Sequence, residues 1–247
     1  MDLHITTLAE RPDLAAGLWT MADSWPVFMK EDLTANLHYP VAAEEFAEYT
    51  LVAVDLDEPG ELVARALCVP FLLGEEELPD NGWDGALWRA LRTRRRGQTP
   101  DTVSALEITL RPDKQGKGLS GVMLKALRDQ VARLGFDRLV APVRPNGKHL
   151  RPWTPMTEYA ALRREDGLPE DPWLRVHARA GGVITKVAPR SMVVAGTLVE
   201  WRGWTGLPFD TSGPTVVPDA LVPVHCDVEQ DHAVYVEPNV WVVHSLR

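Results

Sequence analysis

Residues 102–143 restrict the fold of this chain more than any other segment. Thr102 to Leu110 alternates with the two-residue period of a strand. Leu119, Val122, Met123, Ala126, Leu127 and Leu134 then recur at helical spacing, Gly135 stops that helix, and Arg138 to Val143 reads as a second strand. Strand, glycine-containing turn, helix and strand make a parallel βαβ unit, which needs helices covering its sheet. The expected fold class is therefore α/β, a mixed sheet flanked by helices.

The flanking sequence extends this sheet. Leu3 to Leu8 reads as a strand, and Pro12 and Asp13 open a helix. Tyr49 to Val54 and Leu62 to Pro70 read as antiparallel partners joined by a turn at Asp57, Glu58, Pro59 and Gly60. Residues 72–100 look like an insertion: an acidic loop, a helix from Trp83 to Arg92, and a solvated basic run at Arg92, Arg94, Arg95 and Arg96. Residues 145–172, rich in proline and charge, look like a second insertion, with a short helix from Pro155 to Arg163. A helix from Pro172 stops at Gly181 and Gly182, and strands Val183 to Val187 and Met192 to Glu200 follow. Residues 1–200 are thus expected to form one domain. Residues 201–247, with Leu221 to Val224 and an alternating Val234 to Val243 broken at Pro238 and Asn239, are expected as a C-terminal β-rich extension packed on it.

Charge and cysteine usage narrow the functional classes. Against 26 Lys and Arg stand 35 Asp and Glu, a formal net charge of −9 that repels polyphosphate and favours cationic or neutral partners, so no nucleic acid is expected. Cys68 and Cys226 alone build neither a disulfide framework nor a cysteine-rich zinc site. With no basic, apolar leader pattern and no membrane-length apolar run, the chain is expected to be cytoplasmic and off the membrane. His225, Cys226, Asp227, His232 and His244 have metal-ligating side chains, but their spacing fits no compact ligand motif and no metal is expected.

The turn at Arg111–Ser120 carries the chemistry. Its glycines permit positive φ and close approach, so successive N–H groups can converge on a phosphate at the positive end of the helix. Gly116-Lys117-Gly118-Leu119-Ser120-Gly121 fits the dinucleotide-binding G-x-G-x-x-G string. However, five residues separate the strand from the first glycine, and the next strand ends Ala141-Pro142-Val143-Arg144 with no carboxylate. An NADP-binding oxidoreductase therefore stands as a lesser alternative. The phosphate-binding loop of nucleotide hydrolases also fails for lack of a Gly-Lys-Ser/Thr ending.

Gln115-Gly116-Lys117-Gly118-Leu119-Ser120 instead resembles the acyl-CoA cradle of the Gcn5-related N-acetyltransferase superfamily, Gln/Arg-x-x-Gly-x-Gly/Ala after the fourth strand. The resemblance runs from Leu106 to Asn146, with Pro112 at the usual loop proline and a small Ser120 at the last position. It implies acetyl-CoA or another acyl-CoA as co-substrate and an N-acyltransferase acting on a small-molecule amine, with a homodimer allowed. The pyrophosphate would lie on the main chain of Gln115, Gly116, Lys117, Gly118, Leu119 and Ser120. Pantetheine would lie along Ile108, Thr109 and Leu110, and Asn146 is counted with them among the cofactor-binding residues. The family's tyrosine acid falls on His177, whose imidazolium would protonate the departing thiolate. Because tyrosine and aromatic are both replaced around Gly181, a non-catalytic CoA-binding sensor or scaffold is the other alternative. The insertion hangs beside the acceptor site, and Trp153, Trp173, Trp201 and Trp204 are candidates to wall it.

Glu107 is the carboxylate chosen as base. Alternation puts Ala105, Glu107 and Thr109 on one strand face, and burial there would raise a carboxyl toward roughly 6 to 7, suited to deprotonating an ammonium. Glu158 and Asp171 stand in reserve. Direct attack without an acyl-enzyme is expected, since both cysteines lie outside the βα unit and no serine has an identifiable base.

Overall fold

The computed structural model describes residues 3–57 and 60–247. Glu58 and Pro59, in the turn read between the second and third strands, lie outside the described residues. The chain opens with β1 (Leu3–Thr7), the short α1 (Ala15–Thr20) and α2 (Leu33–Glu45). An antiparallel pair follows, β2 (Thr50–Asp55) and β3 (Leu62–Phe71). Every residue of β2 and β3 is buried, the pattern of strands covered on both faces.

β4 (Thr102–Leu110), α4 (Leu119–Arg133) and β5 (Arg138–Val143) form the parallel βαβ unit. The helix packs Met123, Leu127 and Val131 onto one sheet face. On the other face lies α3 (Gly82–Arg95), which contributes Trp83, Ala86, Leu87, Ala90 and Leu91 to the larger core cluster. The 72–100 segment read as an insertion therefore supplies one of the two covering layers. Its apolar residues repeat at helical spacing because they are half of a core, while Arg92, Arg94 and Arg95 occupy the helix's last turn.

The second half of the chain holds α5 (Met156–Ala161), α6 (Pro172–Arg179), β6 (Val183–Gly196), α7 (Leu198–Thr205), β7 (Gly213–Thr215), β8 (Val224–Asp227) and β9 (His232–Ser245). The sheet order is β1-β2-β3-β4-β5-β9-β8-β7, with β6 also paired to β9. Residues 201–247 are consequently not an extension lying on a finished core. β9 occupies the middle of the sheet, its Val240–Val243 stretch pairing with β5 on one side and β6 on the other. Pro238 and Asn239 do not break it. β6 is one strand with an irregularity between Ala188 and Met192 and ends at Gly196. Thr197 and Glu200 then form a capping box that starts α7, where the sequence reading continued a strand.

Buried Lys148 ties the 145–172 segment to the C-terminal part. Its Nζ donates to the carbonyls of Arg151 at 2.8 Å and Leu221 at 2.6 Å. At the end of α6, Gly181 turns the chain at φ +81°, while Gly182 is needed for closeness: a Cβ there would lie 2.6 Å from His244 Cε1 and 2.8 Å from the His177 carbonyl oxygen. Gly182→Ala should cost about 1–3 kcal/mol in urea unfolding through overpacking. Gly121→Ala, at a helical position with nothing within 4 Å, should be neutral or gain up to about 1 kcal/mol.

Candidate active site

β4 and β5 stay paired only at Val103–Leu139 and Ser104–Val140. Beyond them the register of β4 against β3 shifts, with Leu67 opposite Glu107 but Cys68 opposite Ala105, so Leu106 is the extra residue of a bulge. The strands separate around a cavity of about 490 Å³. One end lies at Gln115, Gly116 and Ser120; the other reaches Arg144, Glu237 and Asn239. At the split, the Leu106 carbonyl accepts the Trp83 indole N–H at 2.9 Å.

The glycine turn has the backbone conformation that an anion cradle needs. Gly116 and Gly118 both have φ +76°, and a Cβ at either would meet nothing, so backbone conformation and not crowding selects glycine. Gly118 caps α4 in the left-handed region without a side-chain cap, and of the first-turn amides Gly121 N–H donates to the Gly118 carbonyl at 3.2 Å, so an anion would be held by the amides before it. Gln115, Gly116, Ser120, Ile108, Thr109, Leu110 and Asn146 line the cavity. Lys117, Gly118 and Leu119 do not: Gly118 sets the turn, Leu119 is buried in the helix's first turn, and Lys117 is exposed.

Glu107 lines the same cavity, buried but not isolated. Its Oε1 accepts from Arg65 Nε at 3.0 Å and Nη2 at 2.9 Å and from the Thr109 hydroxyl, while its Oε2 accepts from the Tyr39 hydroxyl. A carboxylate offers about four acceptor positions, so Oε2 keeps one for a further donor. Burial raises the Tyr39 hydroxyl well above its ordinary value, reinforced by Glu107, so the phenol stays a donor.

His177 also lines the cavity, but it is no imidazolium. Its Nδ1 lies 2.9 Å from His244 Nε2, and burial, then the neighbouring His244, lowers its pKa to about 3. Burial likewise lowers His244 to about 4. Both rings are neutral near pH 7, which removes the acid role expected for His177. The ring remains as a neutral wall of the site.

Among the tryptophans named from sequence, only Trp173 reaches the cavity. Trp201 is fully buried and donates to the Ala233 carbonyl, Trp204 packs against it, and Trp153 is 65% exposed. Trp25 and Trp83 take the expected place. Asp171 serves structure, accepting from the backbone of Trp173, Leu174 and Gly147 and from the Tyr159 hydroxyl, and Glu158 is exposed. Cys226 lies in the core.

The sequence reading missed the far end. Glu237, fully buried on β9, accepts from Arg144 Nε, the Tyr235 hydroxyl and Asn239 Nδ2, each at 2.9 Å. Its signal was a charged residue inside an apolar alternation. Two further buried carboxylates stand outside the cavity lining: Asp84, in the first turn of α3, and Asp32, which caps α2. Burial, then Asp32, pushes the Asp84 carboxyl up to about 8.

No family model matches the chain. An arginine N-acetyltransferase of Aspergillus versicolor is 33% identical over 272 aligned positions, covering 98% of this chain and 94% of that protein. Among solved structures, the loading GNATL domain of CurA from Lyngbya majuscula matches with TM-score 0.56 and 14% identity, over 99% of this chain and 97% of that one. The GphF GNAT-like decarboxylase in complex with isobutyryl-CoA matches with TM-score 0.55 and 14% identity over the whole of both chains. These two structures share the fold.

Asp84 generates a pH prediction. Its folded pKa lies above the unfolded value near 3.8, so its contribution to stability is fully present below pH 4 and is lost as pH rises toward 8. Asp84→Asn should therefore raise Tm at pH 8 and scarcely change it at pH 4, measured by thermal unfolding across that range.

Proposed function

The chain belongs to the Gcn5-related N-acetyltransferase superfamily, and on that premise we propose that it transfers the acetyl group of acetyl-CoA to a nitrogen of arginine or of a small molecule with an arginine-like cationic side chain. The observation that carries this reading is one continuous cavity. It starts at an uncapped helix N-terminus suited to pyrophosphate, follows the open edge of β4, and ends against the buried carboxylates Glu107 and Glu237. The net charge of −9 favours encounter with a cation, and the fungal relative is named for arginine.

Each residue then has a physical task. The amides of the Gln115–Ser120 turn, which meets the cavity at Gln115, Gly116 and Ser120, take the diphosphate, and the edge of Ile108–Leu110 offers backbone groups to the pantetheine amides. The acceptor nitrogen, with its lone pair free, attacks the thioester carbonyl carbon; the C–N bond forms, the C–S bond breaks, and the electron pair leaves on sulfur as CoA thiolate. Glu107 takes the nitrogen's proton at Oε2, with Tyr39 and Arg65 holding the carboxylate in place. A thiolate needs no strong acid to depart, and solvent completes its protonation, consistent with a neutral His177. The sensor and oxidoreductase alternatives have no such supporting relative.

Thiol release from acetyl-CoA on adding arginine tests the reading. Glu107→Gln should lower kcat about 100-fold while keeping the acetyl-CoA KM within about twofold. Ser120→Glu, placing an anion at the cradle, should raise that KM at least about tenfold. Wild-type protein that binds acetyl-CoA yet releases no thiol with arginine would remove arginine as acceptor; undiminished turnover in Glu107→Gln would remove Glu107 as base.

A further inference from the structure

Among the described residues three carboxylates line the cavity, Glu107, Glu237 and Asp219, and two of them are answered from within the fold. Glu107 lies against Arg65 and Glu237 against Arg144. Asp219 differs. Its carboxylate accepts no hydrogen bond among the described residues, and the ring nitrogen Nε2 of His149, its neighbour in the cavity lining, stands 3.9 Å from Oδ1. With 62% of its side chain exposed, Asp219 sits where the cavity opens. It stays hydrated there, and a cation can meet it without the desolvation that a buried pair suffers.

The turn that carries Asp219 is fastened by side chains from other segments. Arg144 Nη2 donates to the Asp219 carbonyl at 2.6 Å, Lys148 Nζ donates to the Leu221 carbonyl at 2.6 Å, and the Leu221 N–H donates to the Tyr235 hydroxyl at 2.9 Å. Val217, Ala220 and Leu221 are buried beneath it. Asp219 itself takes φ +65°, a left-handed conformation that Asp and Asn enter more readily than other side chains. That conformation explains a residue of this pair, but asparagine would serve it equally, so the charge needs another reason. Arg144 also holds Glu237, which sets the turn at the end of the cavity away from the glycine turn.

Arginine carries two basic groups, an α-amine and a guanidine, and only one of them gives up its proton to attack. The other stays a cation through the reaction. We propose that Asp219 is a specificity-determining residue that pairs with this second, non-reacting cation, so that the enzyme selects small dibasic acceptors. The assignment rests on the cationic-acceptor reading above and adds the residue that recognises the acceptor's far end. A carboxylate held on a fixed turn gives either an ammonium or a guanidinium a charge-assisted hydrogen bond while the reactive nitrogen is presented beside Glu107.

Steady-state thiol release tests the assignment with three acceptors: arginine, citrulline, in which an uncharged ureido group replaces the guanidinium, and Nα-acetylarginine, whose α-nitrogen carries no charge. The analogue that keeps the reactive nitrogen lacks the second cation, and wild-type protein should turn it over with a KM at least about tenfold above that of arginine. Asp219→Asn keeps the left-handed backbone and removes only the charge. It should raise the arginine KM at least about tenfold with kcat within about twofold, bringing arginine and that analogue within about twofold of each other. A preference for arginine that persists in Asp219→Asn overturns the proposal while arginine turnover still supports the function. Equal losses with arginine and the analogue would mark a structural role and overturn it too, as would wild-type protein that uses the analogue as well as arginine. Absent thiol release with arginine itself would show that the acceptor reading has failed, and the role of Asp219 with it.

Discussion

The architecture depends on two parallel strands that stop pairing. β4 and β5 share a ladder only at their beginnings, and the bulge at Leu106 then carries β4 away. Buried backbone groups must find partners, so an opened ladder inside a sheet must be filled by side chains or by a ligand. Trp83 claims the Leu106 carbonyl, and Pro142 in β5 brings no N–H that needs satisfying. The remaining edge is the part of the fold able to pair with the amides of an extended cofactor arm. β9 makes the opening affordable: it holds β5 from the far side over Arg138–Val143, so β5 keeps a full ladder while its other edge is free.

Charge is arranged around that opening in two ways. Glu107 with Arg65, and Glu237 with Arg144, are buried pairs whose hydrogen bonds are largely filled, and they fix the cavity's shape. Asp32 and Asp84 are not paired, and burial drives both carboxyls up. A histidine pair completes the picture: His177 Nδ1 and His244 Nε2 share a hydrogen bond inside the wall, and burial lowers the pKa of both rings, which keeps them neutral near pH 7.

What could be read from sequence was local. The spans of β4 and β5 were legible between clear turn residues, and so was the need for positive φ at the glycines of the turn between them. Nonlocal facts were out of reach. β9 looked like an appendage because nothing in an alternating segment says which strands it will separate. His177 stands where a helix should place an acid, but its partner is 67 residues away, and that contact decides its protonation. Arg65 and Tyr39, which hold Glu107, come from other elements. Trp83 and Glu237 carried weak local signals, an aromatic at a helix start and a charge in an apolar strand, whose meaning appeared only once the chain had closed.

The central claim is that CoA fills the opening between β4 and β5, and amide hydrogen exchange with and without CoA addresses it directly. The account predicts slowed exchange on adding CoA at residues 108–110 and 115–120, with no change across α2. Protection confined to other segments, with 115–120 exchanging as fast as in the free protein, would contradict it.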